Sequence, residues 1–223
     1  MAKTIGHRGA CGHEQENTIA SFVKAVELGA DMIEFDVRLT KDLVPVVLHD
    51  RSIYRVSGRR GLIAKLTFDE CRENPLKGGG KIPSLEEACK LVLESNIEAY
   101  IEVKVPDRKG IIIGKVLEHL PVNRFYIASF DKAYLTLIET NYPEIRTIVI
   151  TNRNDIRLID LITKNHADCF SVEYHSIDSS AVEAAHNTGR KLFAWTVNEP
   201  SDIERLKALG VDGIVSDYPE RVG

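Results

Sequence analysis

Met32-Ile33-Glu34-Phe35-Asp36-Val37 and Tyr100-Ile101-Glu102-Val103-Lys104 are two strand-like runs that carry acids among apolar residues. Residues two apart on a strand share a face, so Glu34 points with Asp36 and Glu102 with Lys104, and the apolar neighbours bury them. Two carboxylates about 4 Å apart repel by roughly 4 kcal/mol at an effective dielectric near 20, so a converging trio requires a cation or protons. A hard divalent metal answers that requirement, and oxygen ligands of this kind suit Mg²⁺ or Ca²⁺.

Outward from these runs, short β-branched segments alternate with longer amphipathic ones along the whole chain. Barrel strands are expected near 3–7, 31–37, 98–104, 124–129, 145–150, 168–173, 191–197 and 212–216, with helices near 17–28, 84–95, 109–119, 131–141, 155–165, 178–188 and 200–209. Parallel strands joined by crossover helices produce this rhythm, and eight of them predict an α/β fold of the TIM (β/α)8 barrel type. Ile19, Phe22, Val23 and Val26 keep helical spacing before the stop at Gly29, and Ser84 with Glu87 resembles a capping box. Leu28-Gly29-Ala30-Asp31 recurs as Leu209-Gly210-Val211-Asp212, each time between a helix and a strand. At 223 residues and 43% hydrophobic content, the chain is expected to be one domain over 1–223.

Val44 to His49 reads as a further strand. Thr40-Lys41-Asp42-Leu43 supplies a turn, so the run folds back antiparallel on the second strand as a hairpin. Pairs whose numbers sum to about 85 then face each other, which sets His49 opposite Asp36. Residues 50–83 break the rhythm with Arg51, Arg55, Arg59 and Arg60, then Lys77-Gly78-Gly79-Gly80-Lys81. This insertion over one end of the barrel is either a solvated glycine-rich loop or a lid that attracts an anionic substrate. It lacks the Gly-x-x-x-x-Gly-Lys pattern of a phosphate loop.

A formal net charge of −4 with no basic block argues against nucleic-acid binding. Cys11, Cys71, Cys89 and Cys169 lie too far apart for a zinc motif and read as reduced thiols. The N-terminus enters a strand directly, with no leader, and no run is long enough for stable membrane insertion, so a cytoplasmic enzyme is expected. Oligomeric state is left open.

His7-Arg8 ends the first strand, on the side where barrel enzymes collect their catalytic groups. A lone His there is as compatible with structure as with function, but an adjacent Arg adds a forked phosphate binder. His49-Asp50 ends the hairpin strand, and its bland alternative is a turn histidine bonded to Asp50. Together the two imidazoles make a pair able to take one proton and give another. Lys104 must pair with an acid or with phosphate. Trp195 is either a core aromatic or an apolar wall against a small polyol, Asp131 is a helix cap, and Phe130 lies where it would line the mouth. His13, His119, His166, His175 and His186 have no comparable context.

His7-Arg8-Gly9, Glu16-Asn17-Thr18, Glu34-x-Asp36, His49-Asp50, Glu102-x-Lys104, Ser129-Phe130-Asp131 and Trp195-Thr196-Val197-Asn198 follow one another in the order of the glycerophosphodiester phosphodiesterases, which the chain resembles over almost its whole length. The resemblance implies a TIM barrel that hydrolyses small glycerophosphodiesters to sn-glycerol 3-phosphate and an alcohol. It further implies that Glu34, Asp36 and Glu102 are metal ligands, His7 and His49 the acid/base pair, and Arg8 and Lys104 the groups around the phosphate, with Glu16 in support. The chain departs from the family at Gln15, where Pro is common, at Ser216-Asp217, where Thr-Asp is common, and in Ile53–Gly58. A phospholipase C-like or lysophospholipase D-like enzyme on lipid substrates, and a barrel that binds a phosphometabolite without turnover, are the competing readings.

Overall fold

The structure, a computed structural model, describes the chain except residues 74, 106, 108, 153–157 and 165. Strand β1 (Lys3–Gly6) leads through helix α1 (Ile19–Glu27) to β2 (Met32–Leu39), and β3 (Pro45–Val47) folds back on β2. The insertion holds α2 (Tyr54–Ser57) and α3 (Phe68–Arg72), and α4 (Leu85–Glu94) returns the chain to β4 (Glu98–Val103). Then α5 (Ile111–His119), β5 (Phe125–Ser129), α6 (Lys132–Asn141), β6 (Thr147–Thr151), α7 (Leu158–Lys164) and β7 (Cys169–Glu173) follow in alternation. The chain closes with α8 (Ser179–Asn187), β8 (Lys191–Trp195), α9 (Pro200–Leu209) and β9 (Gly213–Ser216).

Eight strands run parallel, and β1 pairs with both β9 and β2, so the sheet closes into the expected TIM barrel with β3 outside it. All eight expected strands are present, and part of the helix expected at 155–165 lies outside the described residues. Alternation along each strand sorts the side chains into two cores. Ile33, Phe35, Val37, Ile101 and Val103 face outward into a layer shared with Phe22, Leu85, Ala88 and Val92 of the helices. Ile5, Met32, Tyr100, Tyr126, Ile148, Phe193 and Val215 fill the barrel interior. Each large side chain fully buried this way contributes roughly 1.5–3 kcal/mol relative to exposure.

Both caps predicted from sequence form: Ser84 and Glu87 make a reciprocal capping box, and Asp131 accepts from Ala133 and Tyr134 N–H. Thr18, to which sequence reasoning gave no such role, also caps a helix, accepting from Ser21 N–H. The repeated Leu-Gly-x-Asp phrase has a structural reason. Gly29 and Gly210 take positive φ after α1 and α9, and the aspartate two residues on accepts a backbone N–H from a neighbouring strand, Asp31 from Thr4 and Asp212 from Leu192, each at 2.8 Å. Asp168 does the same for Thr147.

Two expectations change. The hairpin pairs Val37 with Val47 and Arg38 with Val46, a sum of 84, so Leu48 N–H bonds Asp36 O and Leu48, not His49, stands opposite Asp36. Regular pairing ends at Val47, which frees His49 from the strand's alternation and lets it turn to the mouth. The insertion is also more than a solvated loop. Val46, Leu48, Ile53, Val56, Ile63, Cys71, Leu76 and Ile82 make a small core of their own beneath it.

Candidate active site

The inward face of β2 reads Met32, Glu34, Asp36 from floor to mouth, and that of β4 reads Tyr100, Glu102, Lys104. The parallel register sets Glu34 beside Tyr100 and Asp36 beside Glu102, so an apolar floor carries an acidic layer. Carboxylate oxygens of Glu34, Asp36 and Glu102 all come within 4.8 Å of one another, and all three residues are buried. Burial and the charges of Asp36 and Glu102 push the Glu34 carboxyl well above its usual range. Glu102 is pushed up to about 7 by burial and Asp36, against the pull of Lys104. For Asp36, burial is outweighed by Lys104 and Arg8, which hold it below the usual carboxylate range. Two proton-hungry carboxyls beside a charged one, all oxygen donors, fit a hard divalent cation.

Cations and an amide hold this layer in place. Lys104 Nζ lies 2.6 Å from Glu102 and 3.1 Å from Asp36, and Arg8 Nε lies 3.4 Å from Asp36. The Arg8 backbone N–H donates to Glu34 at 2.9 Å, which is possible because Arg8 adopts φ +51 in the turn after β1. Glu16-Asn17-Thr18 divides its labour. Glu16 bonds Arg8 at 2.9 Å, Asn17 Nδ2 donates to Asp36 at 2.8 Å, and Thr18 caps α1. Arg55 from the insertion bonds both Glu16 and Asp50, tying the inserted segment to the rim.

The turn itself depends on Gly9. A methyl there would sit 2.0 Å from Ser21 Oγ, and the residue holds φ +84. Gly9→Ala is expected to lower stability by about 2–4 kcal/mol and to displace Arg8, read by urea unfolding. Wild-type stability in the variant would show that the close approach to α1 has no structural weight.

Both candidate imidazoles are held by carboxylates through Nδ1. His7 lies 2.6 Å from Asp217 and His49 lies 2.7 Å from Asp50. A carboxylate only accepts, so each ring presents N–H at Nδ1 and leaves Nε2 free to exchange a proton. Asn198 fixes Asp217 in turn, Nδ2 donating at 2.7 Å while its oxygen accepts Asp217 N–H at 3.0 Å. Burial lowers the His49 pKa, with Arg8 and Lys104 adding to the effect against Asp36 and Asp50. Asp50 is lowered to about 2, chiefly by its bonds to Arg55.

His7, Arg8, Glu34, His49, Glu102, Lys104, Phe130 and Trp195 line one cavity of about 250 Å³, with Tyr100, Ile150, Thr196 and Val215 completing the wall. Phe130 meets Trp195 edge to face at 5.9 Å, and Trp195 Nε1 donates to Ser171 O, which sets an aromatic wall that adjoins the charged one where Lys104 Nζ lies 5.9 Å from the Phe130 ring. Asp36 and Glu16 stand behind the cavity wall. His13, His119, His175 and His186 pair with Glu220, Glu86, Glu173 and Asp212, none of which lines the cavity. Sequence reasoning assigned no role to Asp217, Asn198, Tyr100 or Arg55. The position of Asp217 directly after the last strand was the available signal for the first of these.

Fold and site together define a phosphate-handling TIM barrel, with acids beneath, two cations beside them and two imidazoles at the rim. The model of the glycerophosphoryl diester phosphodiesterase family matches residues 7–221, and the chain belongs to that family. It is 32% identical to a glycerophosphodiester phosphodiesterase of Caldanaerobacter subterraneus, covering 97% of this chain and 94% of the relative. A Bacillus altitudinis enzyme of the same name is 31% identical, covering 99% and 96%. Among solved structures, a phosphodiesterase of Oleispira antarctica in complex with its product sn-glycerol-3-phosphate superposes with a TM-score of 0.88 at 26% identity, covering 100% of this chain and 95% of that one.

Proposed function

We propose that the protein hydrolyses glycerophosphodiesters to sn-glycerol 3-phosphate and an alcohol, with a divalent cation at Glu34, Asp36 and Glu102 and with His7 and His49 as the acid/base pair. The single observation that carries this reading is the convergence of both imidazoles, the buried carboxylates, Arg8 and Lys104 on one cavity. The product bound by the Oleispira antarctica relative supports the choice of substrate.

In this scheme Arg8 and Lys104 bind the phosphoryl oxygens and offset the charge that grows on them in the transition state. Glu34, Asp36 and Glu102 would hold a Mg²⁺ or Ca²⁺ ion, which would supply Lewis-acid polarisation of the phosphate. One histidine accepts a proton at Nε2 from the attacking oxygen, water or the glycerol 2-hydroxyl, and the other protonates the departing alcohol. Asp217 and Asp50 keep each ring in the tautomer that allows this. The wall made by Phe130 and Trp195 takes the glycerol carbons, and the charged wall takes the phosphate.

Among the described residues no helix is long and apolar enough to cross a membrane. A coupled assay for glycerol 3-phosphate across glycerophosphocholine, glycerophosphoethanolamine and glycerophosphoglycerol tests the proposal. Release from at least one of them is expected. Turnover confined to lysolipid vesicles would move the protein to a lysophospholipase D, and tight binding without product would make it a binder.

A further inference from the structure

A second set of metal-ligating groups lies beside the first, and its chemistry differs. Cys11 Sγ is 2.9 Å from Asp217 Oδ1 and 3.8 Å from His7 Nδ1, while that nitrogen is 2.6 Å from the same oxygen. One donor atom from each of His7, Cys11 and Asp217 comes within 4.8 Å of the other two. The His7 and Asp217 side chains are 20% and 26% exposed and Cys11 is half-buried, so an ion can reach the group and complete its coordination with water. The carboxylate layer offers only hard oxygen, whereas this trio offers nitrogen, sulfur and one oxygen, the donor set of a borderline ion.

We propose that His7, Cys11 and Asp217 bind Zn²⁺ or a similar thiophilic divalent ion, and that its binding switches off the reaction at His7. Tetrahedral Zn²⁺ with bonds of about 2.0–2.3 Å sets sulfur and nitrogen roughly 3.5 Å apart, close to the distance already present. The carboxylate has to withdraw by roughly 0.7 Å to open its two short contacts to the same geometry. Binding breaks the S–H bond, whose proton leaves to solvent, and the Nδ1–H bond, whose proton passes to Nε2 by exchange with solvent, so the neutral imidazole bound at Nδ1 carries its single proton on Nε2. That nitrogen can no longer accept a proton, and the pair loses one member.

The inhibitory half rests on the reading of His7 as a proton-handling residue, and the binding half does not, so the two are tested separately. With Mg²⁺ in excess to occupy the hard site, Co²⁺ titrated into the full-length protein as a Zn²⁺ surrogate should raise a thiolate-to-metal band in the near ultraviolet. The band should be absent in both Cys11→Ser and Cys11→Ala. In the glycerol 3-phosphate assay, Zn²⁺ should inhibit the wild type at a concentration at least about tenfold lower than it inhibits either variant, each relative to its own basal rate. Absence of the band in the wild type overturns the site. Equal Zn²⁺ sensitivity in wild type and variants assigns the inhibition to the carboxylate layer, and a band without inhibition overturns the regulatory half.

Discussion

Replacing either His7 or His49 with alanine is expected to lower kcat by about 10²–10⁴ while leaving the fold intact. Each ring is held at Nδ1 by a carboxylate, Asp217 or Asp50, at the rim of the barrel, with Cys11 Sγ a further contact of His7 at 3.8 Å, and neither imidazole belongs to a hydrophobic core. Loss of the side chain therefore removes a proton carrier and little packing. The double variant should fall little below the worse single one, because a reaction that needs both an acid and a base fails once either is gone. Circular dichroism and urea unfolding establish that the variants are folded, and stopped assays on the coupled reaction give the rates. Two single variants with wild-type turnover would remove the imidazoles from the chemistry.

Glutamine at position 102 is expected to reduce metal affinity by about 10²-fold or more and turnover with it, and at the same time to stabilise the metal-free protein. Lys104 keeps Asp36 at 3.1 Å as an ionic partner, so the substitution relieves repulsion without orphaning the amine. The effect depends on pH in a stated direction. Burial and Asp36 raise the folded-state pKa of Glu102 from 4.5 to about 7, so the folded protein binds the proton more tightly than the unfolded chain does. Stability from this group is then full below about pH 4.5 and falls as pH rises toward about 7. The advantage of Glu102→Gln should accordingly be small in acid and reach its maximum above neutrality. Saturating Mg²⁺ or Ca²⁺ at about a hundred times Kd should add roughly 2.7 kcal/mol to the wild type and little to the variant. A variant less stable than the metal-free wild type at pH 8 would contradict the repulsion assigned to the carboxylate layer.

The barrel was legible from the sequence because its signals are local. Alternation in Met32–Val37 and Tyr100–Lys104, the cap at Ser84 and the glycine stops act within a few residues, and tertiary structure did not override them. Convergence of Glu34, Asp36 and Glu102 was legible for the same reason, since a shared strand face follows from period two. The hairpin register was not. A turn of four residues permits neighbouring registers, and packing of Leu48 into the insertion's core selected the one observed. His49 still reached the cavity, because the strand ends before it and Asp50 and Arg55 fix its position instead. The core under residues 50–83 escaped notice because its apolar residues follow no single period. Asp217 and Asn198 act through contacts that span the barrel seam, between β1 and β9 and between β8 and β9, and no local pattern encodes a partner some 20 to 210 residues away.

The most direct measurement is the release of sn-glycerol 3-phosphate from glycerophosphodiesters by exhaustively chelated protein as Mg²⁺ or Ca²⁺ is added back. No product before addition and saturable recovery after it are expected in the wild type, with recovery shifted to at least about a hundredfold higher metal in Glu102→Gln. Undiminished product release in the presence of chelator would contradict a cation in the carboxylate layer.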